Sequence, residues 1–399
     1  MVAFSVVGVM ATLVGSASAF FLWSLDAVTL LRFGNPWIIW LLPVAGMAVG
    51  LVYHRFGRTT DAGNDLLIDE IHEPGEGVPR RIVPLVLFGT LMTHLFGGSA
   101  GREGTALQMG GGIAAAVARQ LRASADLTRL LLMAGIAAGF GSVFGTPVAG
   151  AVFALEMLVF QRVRTRELLV CLFAAVVADL VCHAWGAKHI LYEVATPATE
   201  VTGPRMWAAV CLAAVAFGFC ARLFVSATHR SQRAFAKTIR RPWMRPFFGG
   251  ILVLVLVLIS GTGDYLGLGV LAANPDSWTL PRFIADPGAP ATAWFWKLVF
   301  TVVTIGAGFK GGEVTPLFFI GAALGNLLAW VFAAPVDLFA ALGFIAVFAA
   351  ATKTPVASIL LGIELFGGGH ALALAAAVLI ACQVSGAGGI YRSMQREQE

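Results

Sequence analysis

Charge is what this sequence lacks. Only 12% of its 399 residues are Asp, Glu, Lys or Arg, against 58% hydrophobic, where a soluble domain carries roughly 25% charged residues. The deficit runs the whole length and excludes an ordinary soluble domain. Cysteine is sparse too. Cys171, Cys182, Cys211, Cys220 and Cys382 all stand in apolar stretches without metal-ligand spacing, so they read as packed thiols. The opening segment, Met1 to Ser16, holds no basic residue and is not read as a cleaved signal peptide. The formal charge is +5, but the basic residues punctuate hydrophobic spans, so no nucleic-acid partner is expected and membrane topology accounts for them better.

What is present is apolar sequence. Runs recur at 14–53, 83–97, 130–160, 168–186, 206–226, 247–262, 295–308, 316–351 and 355–384. Several exceed the ~20 residues that cross a bilayer core and others fall short. Lipid supplies no hydrogen bonds, so these runs are expected to be helices; short spans broken by glycine suggest helices that stop inside the membrane around a site. Arg55/Arg58, Arg80/Arg81, Arg119/Arg122/Arg129, Arg162/Arg164/Arg166, Arg230 to Arg245 and Arg392/Arg396 are assigned to the cytoplasm, and 187–205 and 272–296, poorer in basic residues, to the outside.

The chain is written twice. Thr146-Pro147-Val148-Ala149 leads to Glu156, and Thr354-Pro355-Val356-Ala357 leads to Glu364; each glutamate lies 10 residues beyond its threonine, and the copies are 208 apart. Upstream, Gly98-Ser99-Ala100-Gly101-Arg102-Glu103-Gly104-Thr105 matches Gly311-Gly312-Glu313-Val314-Thr315-Pro316, with Glu103 and Glu313 separated by 210. Duplicated halves with a site where they meet are a common transporter plan. Residues 1–205 are expected to form the first transmembrane repeat and 206–399 the second, in one integrated membrane domain with no cytoplasmic regulatory domain.

Each of the four elements sets Gly, Ser or Thr before an apolar, helix-compatible run. A helix beginning there points unpaired N–H groups forward and adds about half a positive charge. Several such starts make an anion site without a full cation, which suits a small ion that must bind and then leave. Ser99, Thr105, Thr146 and Thr315 can cap or donate hydroxyls. Gly110, Gly111, Gly112, Gly321 and Gly325 are assigned instead to close helix packing. Glu103 and Glu313 stand where an ionised carboxylate is costly. Burial and facing N–H donors pull such a group in opposite directions, so it can exchange a proton or occupy the anion site itself. The competing reading has each glutamate cap its own helix or pair with Arg102 or Lys310. Glu156 and Glu364 are assigned structural roles.

At these residues the chain resembles the CLC family of chloride channels and chloride/proton antiporters. Gly101-Arg102-Glu103-Gly104-Thr105 is similar to the family's G-R-E-G-P element, whose glutamate is the gate. Gly141-Ser142-Val143-Phe144-Gly145-Thr146-Pro147, running on to Glu156, is similar to the element that follows, and Gly311 to Pro316 replaces the G-x-F-x-P helix start. Tyr391, in Gly388-Gly389-Ile390-Tyr391, aligns with the family's anion-contacting tyrosine. Four departures resemble the fluoride/proton branch: Thr105 for proline, Gly63-Asn64-Asp65-Leu66 for G-S-G-I-P, Met157 where a second proton glutamate often stands, and the added Glu313. The resemblance implies an all-α polytopic fold of two inverted-topology repeats, whose broken helices meet at a midplane anion site. It also implies a homodimer with one pathway per subunit.

The expected function is therefore export of cytoplasmic fluoride driven by inward protons, in a multi-pass prokaryotic plasma or inner membrane. Glu103 and Glu313 carry gating and proton transfer; Gly101, Arg102, Gly104, Thr105, Asn64, Val314, Thr315 and Tyr391 form the anion path. Asn64, Thr105, Thr315 and Tyr391 offer side-chain donors for an ion more strongly hydrated than chloride. Fluoride, protons and lipid are the partners, and no cofactor, metal or enzymatic activity is called for. A chloride/proton antiporter or passive anion channel of the same fold is the nearest alternative. A membrane-embedded hydrolase using His94 with Ser99 or Ser142 is the remote one, lacking a third residue or a G-x-S-x-G element. Among 29 phenylalanines, Phe96 and Phe144 are candidates to line the pathway.

Overall fold

The computed structural model describes residues 2–391 apart from 58, 61, 74, 76, 159–164, 191 and 202; Arg58, Arg162, Arg164, Arg392 and Arg396 lie outside the described residues. Sixteen α-helices follow one another among them: α1 Val2–Gly34, α2 Leu42–Phe56, α3 Asn64–His72, α4 Ile82–Leu95, α5 Glu103–Gln120, α6 Ala125–Phe144, α7 Pro147–Leu158 and α8 Thr165–Ala184, then α9 Pro204–Thr238, α10 Arg245–Ser260, α11 Leu280–Ala285, α12 Ala293–Gly306, α13 Val314–Phe332, α14 Val336–Thr352, α15 Pro355–Phe366 and α16 Ala371–Val384. The repeat boundary drawn after residue 205 falls in the first turn of α9.

Several apolar runs that are continuous in sequence break in the structure, and the breaks have backbone causes. The 14–53 run stops at Gly34 and resumes as a 3₁₀ turn from Pro36 before α2. The 130–160 run ends α6 at Gly145, which takes a left-handed φ of +72°, and Pro147, lacking an N–H, opens α7 where that donor would be unpaired anyway. The 316–351 run divides at Ala333, also left-handed, before Pro335. Among the described residues, seven helices are long and apolar enough to cross a membrane, and six shorter apolar ones accompany them. Trp330 is 79% and Leu372 78% exposed, as lipid-facing side chains are.

Small residues let the inner helices touch backbone to backbone. A Cβ on Gly110 or Gly135 would collide with the other's carbonyl oxygen between α5 and α6, and Gly321 and Gly343 stand in the same relation between α13 and α14. Gly325 likewise abuts the Phe339 carbonyl, whereas Gly111 and Gly112 face the side chains of Leu67 and of Ile82 and Val83. Cys171, Cys182 and Cys220 are buried and Cys382 is half-buried, but Cys211 is exposed on α9, so its thiol is not packed in the chain's own core.

The repeated glutamates lock α7 and α15 reciprocally. Glu156 accepts from the Val356 and Ala357 N–H groups at 3.0 and 2.7 Å. Glu364 accepts from Val148 and Ala149 at 3.0 and 2.7 Å. Each carboxylate satisfies two of the otherwise unpaired donors of the opposite helix start and neutralises its positive end. Donor and acceptor positions differ by the same 208 residues in both directions, so the two contacts are copies of one interaction.

Candidate functional site

Two glycine-led helix starts meet where the chain crosses itself. The Gly101 N–H donates to the Gly312 carbonyl at 2.5 Å, and the Gly312 N–H to the Gly101 carbonyl at 2.8 Å. The crossing is too close for side chains: a Cβ on Gly312 would stand 2.6 Å from the Gly104 nitrogen, and Gly311 takes φ +150°, a conformation open to glycine. From here α5 begins at Glu103 and α13 at Val314, with Glu313 as the N-cap. Pro316 has no N–H, so the free donors of the α13 start belong to Val314 and Thr315.

The Glu103 side chain lies in that start. Its Oε2 accepts from the Thr315 N–H at 3.1 Å and the Arg102 N–H at 3.1 Å, and its Oε1 takes a short bond from the Thr315 hydroxyl. Arg102 Nε stands 3.6 Å from Oε1 and makes no hydrogen bond, so the expected ion pair is a loose contact beside the stronger threonine bonds. Glu103 is fully buried. A carboxylate held by backbone N–H and hydroxyl donors at a helix start occupies the kind of position an anion takes.

Unequal spaces lie on either side. On one, a vestibule of about 910 Å³ reaches Glu313, Asn64, Gly311 and Tyr391 from among Tyr53, His54, Arg233 and Arg245. On the other, a pocket of about 20 Å³ touches Arg102, Glu103 and Thr315 under Phe144, Tyr192, Phe318 and Phe344; that space holds roughly one water-sized occupant. Phe318 and Phe344 stack with centroids 4.0 Å apart, and Phe144 meets Phe318 edge-on at 5.5 Å. The paired backbone between the two spaces carries Glu103 toward the small pocket and Glu313 toward the vestibule.

The other expected site residues divide. Asn64, at the start of α3, is buried with its Oδ1 unpartnered and lines the vestibule with Tyr391. Gly101 and Gly104 form the crossing. Thr105 departs from its expected donor role toward an anion: its hydroxyl bonds Thr90 at 2.6 Å and reaches neither space. Phe144 lines the small pocket, but Phe96, at the end of α4, lines neither. The Ser–His pairs of the hydrolase reading do not assemble. His94 directs its nitrogens at the Thr90 and Ala100 carbonyls (2.8 and 3.0 Å), Ser99 bonds Thr301 at 2.9 Å, and Ser142 bonds Ser18 at 2.8 Å. Tyr192, Phe318 and Phe344 were missed by sequence reasoning; only their place beside the motif-bearing elements could have pointed to them.

A family profile described as "Voltage gated chloride channel" matches residues 45–386, and the chain belongs to that family, the CLC proteins. A "Chloride/fluoride channel protein" of Pseudomonas syringae pv. tomato (strain ATCC BAA-871 / DC3000) is 48% identical over 398 residues, covering 97% of this chain and 85% of the relative. Among solved structures, a CLC-type fluoride/proton antiporter superposes with TM-score 0.92 at 32% identity, covering 98% of this chain and 97% of that one. A slow cyanobacterial Cl⁻/H⁺ antiporter, 19% identical, shares the fold with TM-score 0.82 over 100% of this chain and 99% of its own. The fold is thus the two-repeat, broken-helix architecture of CLC antiporters, in a multi-pass membrane protein.

Proposed function

We propose that this protein is a fluoride/proton antiporter that exports cytoplasmic fluoride as protons move inward, and that Glu103 is its gate. The observation carrying this reading is the Glu103 carboxylate, seated on the Thr315 N–H and hydroxyl between a wide vestibule and a pocket for a single small ion. Carboxylate and fluoride compete for the same donors, so one leaves when the other arrives. Protonation removes the charge that those donors hold best, and neutral Glu103 withdraws toward the small pocket and admits the ion.

The vestibule faces the cytoplasm in this reading, because Arg233 and Arg245 line it. Fluoride enters there past Asn64 and Tyr391, meets the donors of Val314 and Thr315, and leaves past Arg102 under the aromatic cluster. Glu313 is half-buried at the vestibule and passes the proton inward, a role for which Met157 offers no group. Thr105 braces α5 against α4. The halves 1–205 and 206–399 act as two inverted repeats around this crossing, and two chains form a homodimer, each with its own pathway, in a prokaryotic inner membrane. Ion exchange of this kind is transport without an enzymatic step and uses no cofactor.

Proteoliposomes loaded with fluoride, and separately with chloride, test the assignment. Fluoride release with matched proton uptake and little chloride movement is expected. Chloride flux equal to or faster than fluoride flux would move the protein to the chloride/proton class on the same fold.

A further inference from the structure

On the far side of the gate from the vestibule stand three residues that ion exchange does not use. His183 closes α8, Asp179 lies one turn before it, and His189 sits in the loop that follows; one ligand atom from each can be chosen so that all lie within 4.8 Å of one another. The hydrogen bonds fix both imidazole tautomers. His189 Nε2 faces the Ser142 carbonyl at 2.9 Å, and a carbonyl oxygen only accepts, so Nε2 carries hydrogen. His183 Nδ1 faces the Asp179 carbonyl at 3.1 Å and its carboxylate Oδ1 at 3.2 Å, so Nδ1 carries hydrogen there. In the neutral rings the remaining nitrogens, His183 Nε2 and His189 Nδ1, are bare acceptors, and they face each other at 3.3 Å. Two lone pairs do not hold that position unaided; a proton or a metal ion belongs between them.

We propose that His183 and His189 bind a zinc-like divalent transition metal, with Asp179 orienting His183, and that the bound ion restrains the loop over the gate. Two nitrogens on a tetrahedral zinc, with bonds of about 2.0–2.1 Å, stand roughly 3.3–3.4 Å apart, which matches the observed separation. Behind His183, the Asp179 backbone carbonyl takes the Nδ1 hydrogen with the carboxylate 3.2 Å from the same nitrogen, an outer-shell arrangement of the kind that fixes the tautomer of a metal-bound histidine. Imidazole suits zinc, copper and nickel better than calcium or magnesium. The His183 side chain is 52% exposed, which gives the ion an entry path and leaves positions for water.

Placement gives the site its consequence. Ile190, next to His189, and Tyr192 line the small pocket over Glu103, while His189 also bonds the backbone of Ser142 near the end of α6 and packs on Gly145. A metal between the histidines ties this loop to α8 and α6 and holds the outer exit as seen here. The site rests on the histidine geometry and not on which anion is carried.

The test uses the full-length protein without a metal-binding tag. Zinc titrated calorimetrically should bind one ion per chain, and cobalt should give a tetrahedral visible spectrum. His183→Ala and His189→Ala should each weaken binding at least tenfold, and Asp179→Asn by roughly tenfold. In proteoliposomes, zinc on the exposed face should slow efflux several-fold, reversibly on chelation, and His183→Ala should escape this with unchanged basal flux. No zinc binding, which would leave a shared proton between the rings, overturns the proposal, as does equal binding by the variants; binding that leaves efflux unaltered overturns the restraint.

Discussion

Among the described residues, three carboxylates sit on the starts of helices that belong to the other half of the chain, and they divide into two kinds. Glu156 and Glu364 each accept two backbone N–H bonds, at 3.0 and 2.7 Å in both copies, and neither lines the vestibule or the small pocket. Glu103 uses one N–H of α13 and one hydroxyl, and borders the small pocket. In the proposed reading the same electrostatic attraction fastens where it is made twice, symmetrically, to backbone donors alone, and gates where one donor is a side chain beside a small pocket.

That contrast can be broken most severely at Glu103, the proposed gate. Glu103→Gln keeps the shape but cannot exchange a proton, and fluoride movement should continue without any accompanying proton flux, read by paired fluoride and pH electrodes. Glu313→Gln should also uncouple, by interrupting the inner relay while leaving Glu103 in place. Thr315→Val removes the hydroxyl and keeps the N–H; losing one hydrogen bond to a charged group, about 1.5–3 kcal/mol, should cut fluoride flux by roughly tenfold to a hundredfold. The fastener predicts the reverse pattern. Glu156→Gln or Glu364→Gln should leave the proton-to-fluoride ratio intact while costing about 1 kcal/mol at the opposing helix start, seen as a lower thermal midpoint in detergent. The two variants should match each other, as copies of one interaction would. Asn64→Leu, at the inner end of the vestibule, should have the smallest effect, a few-fold rise in the fluoride concentration for half-maximal flux.

The sequence carried more of this architecture than of its geometry. The paired T-P-V-A elements and the spacing to Glu156 and Glu364 are repeats of composition and distance, and both survive into the reciprocal contacts of α7 and α15. Glu103 and Thr315 were legible because acid and hydroxyl are conspicuous in apolar sequence. What sequence did not disclose is which donor faces which partner. Thr105 looks as available as Thr315, but its hydroxyl is spent on Thr90 of α4, a contact set by the packing of two helices and by no local pattern. The aromatic closure was illegible for the same reason: Phe144, Phe318, Phe344 and Tyr192 come from four separate segments and become one cluster only when those segments meet. The opposition of His183 and His189 likewise depends on a loop folding back on α8.

The central claim, that proton and fluoride movement are one event at Glu103, has a direct test. Proteoliposomes with equal fluoride on both sides are given a proton gradient, and the fluoride electrode is watched. Net fluoride movement toward the side of higher proton concentration is expected, against the fluoride gradient that builds up, and none in Glu103→Gln. Fluoride that stays at equilibrium in the wild type, despite rapid exchange, would contradict it and leave a passive anion pathway.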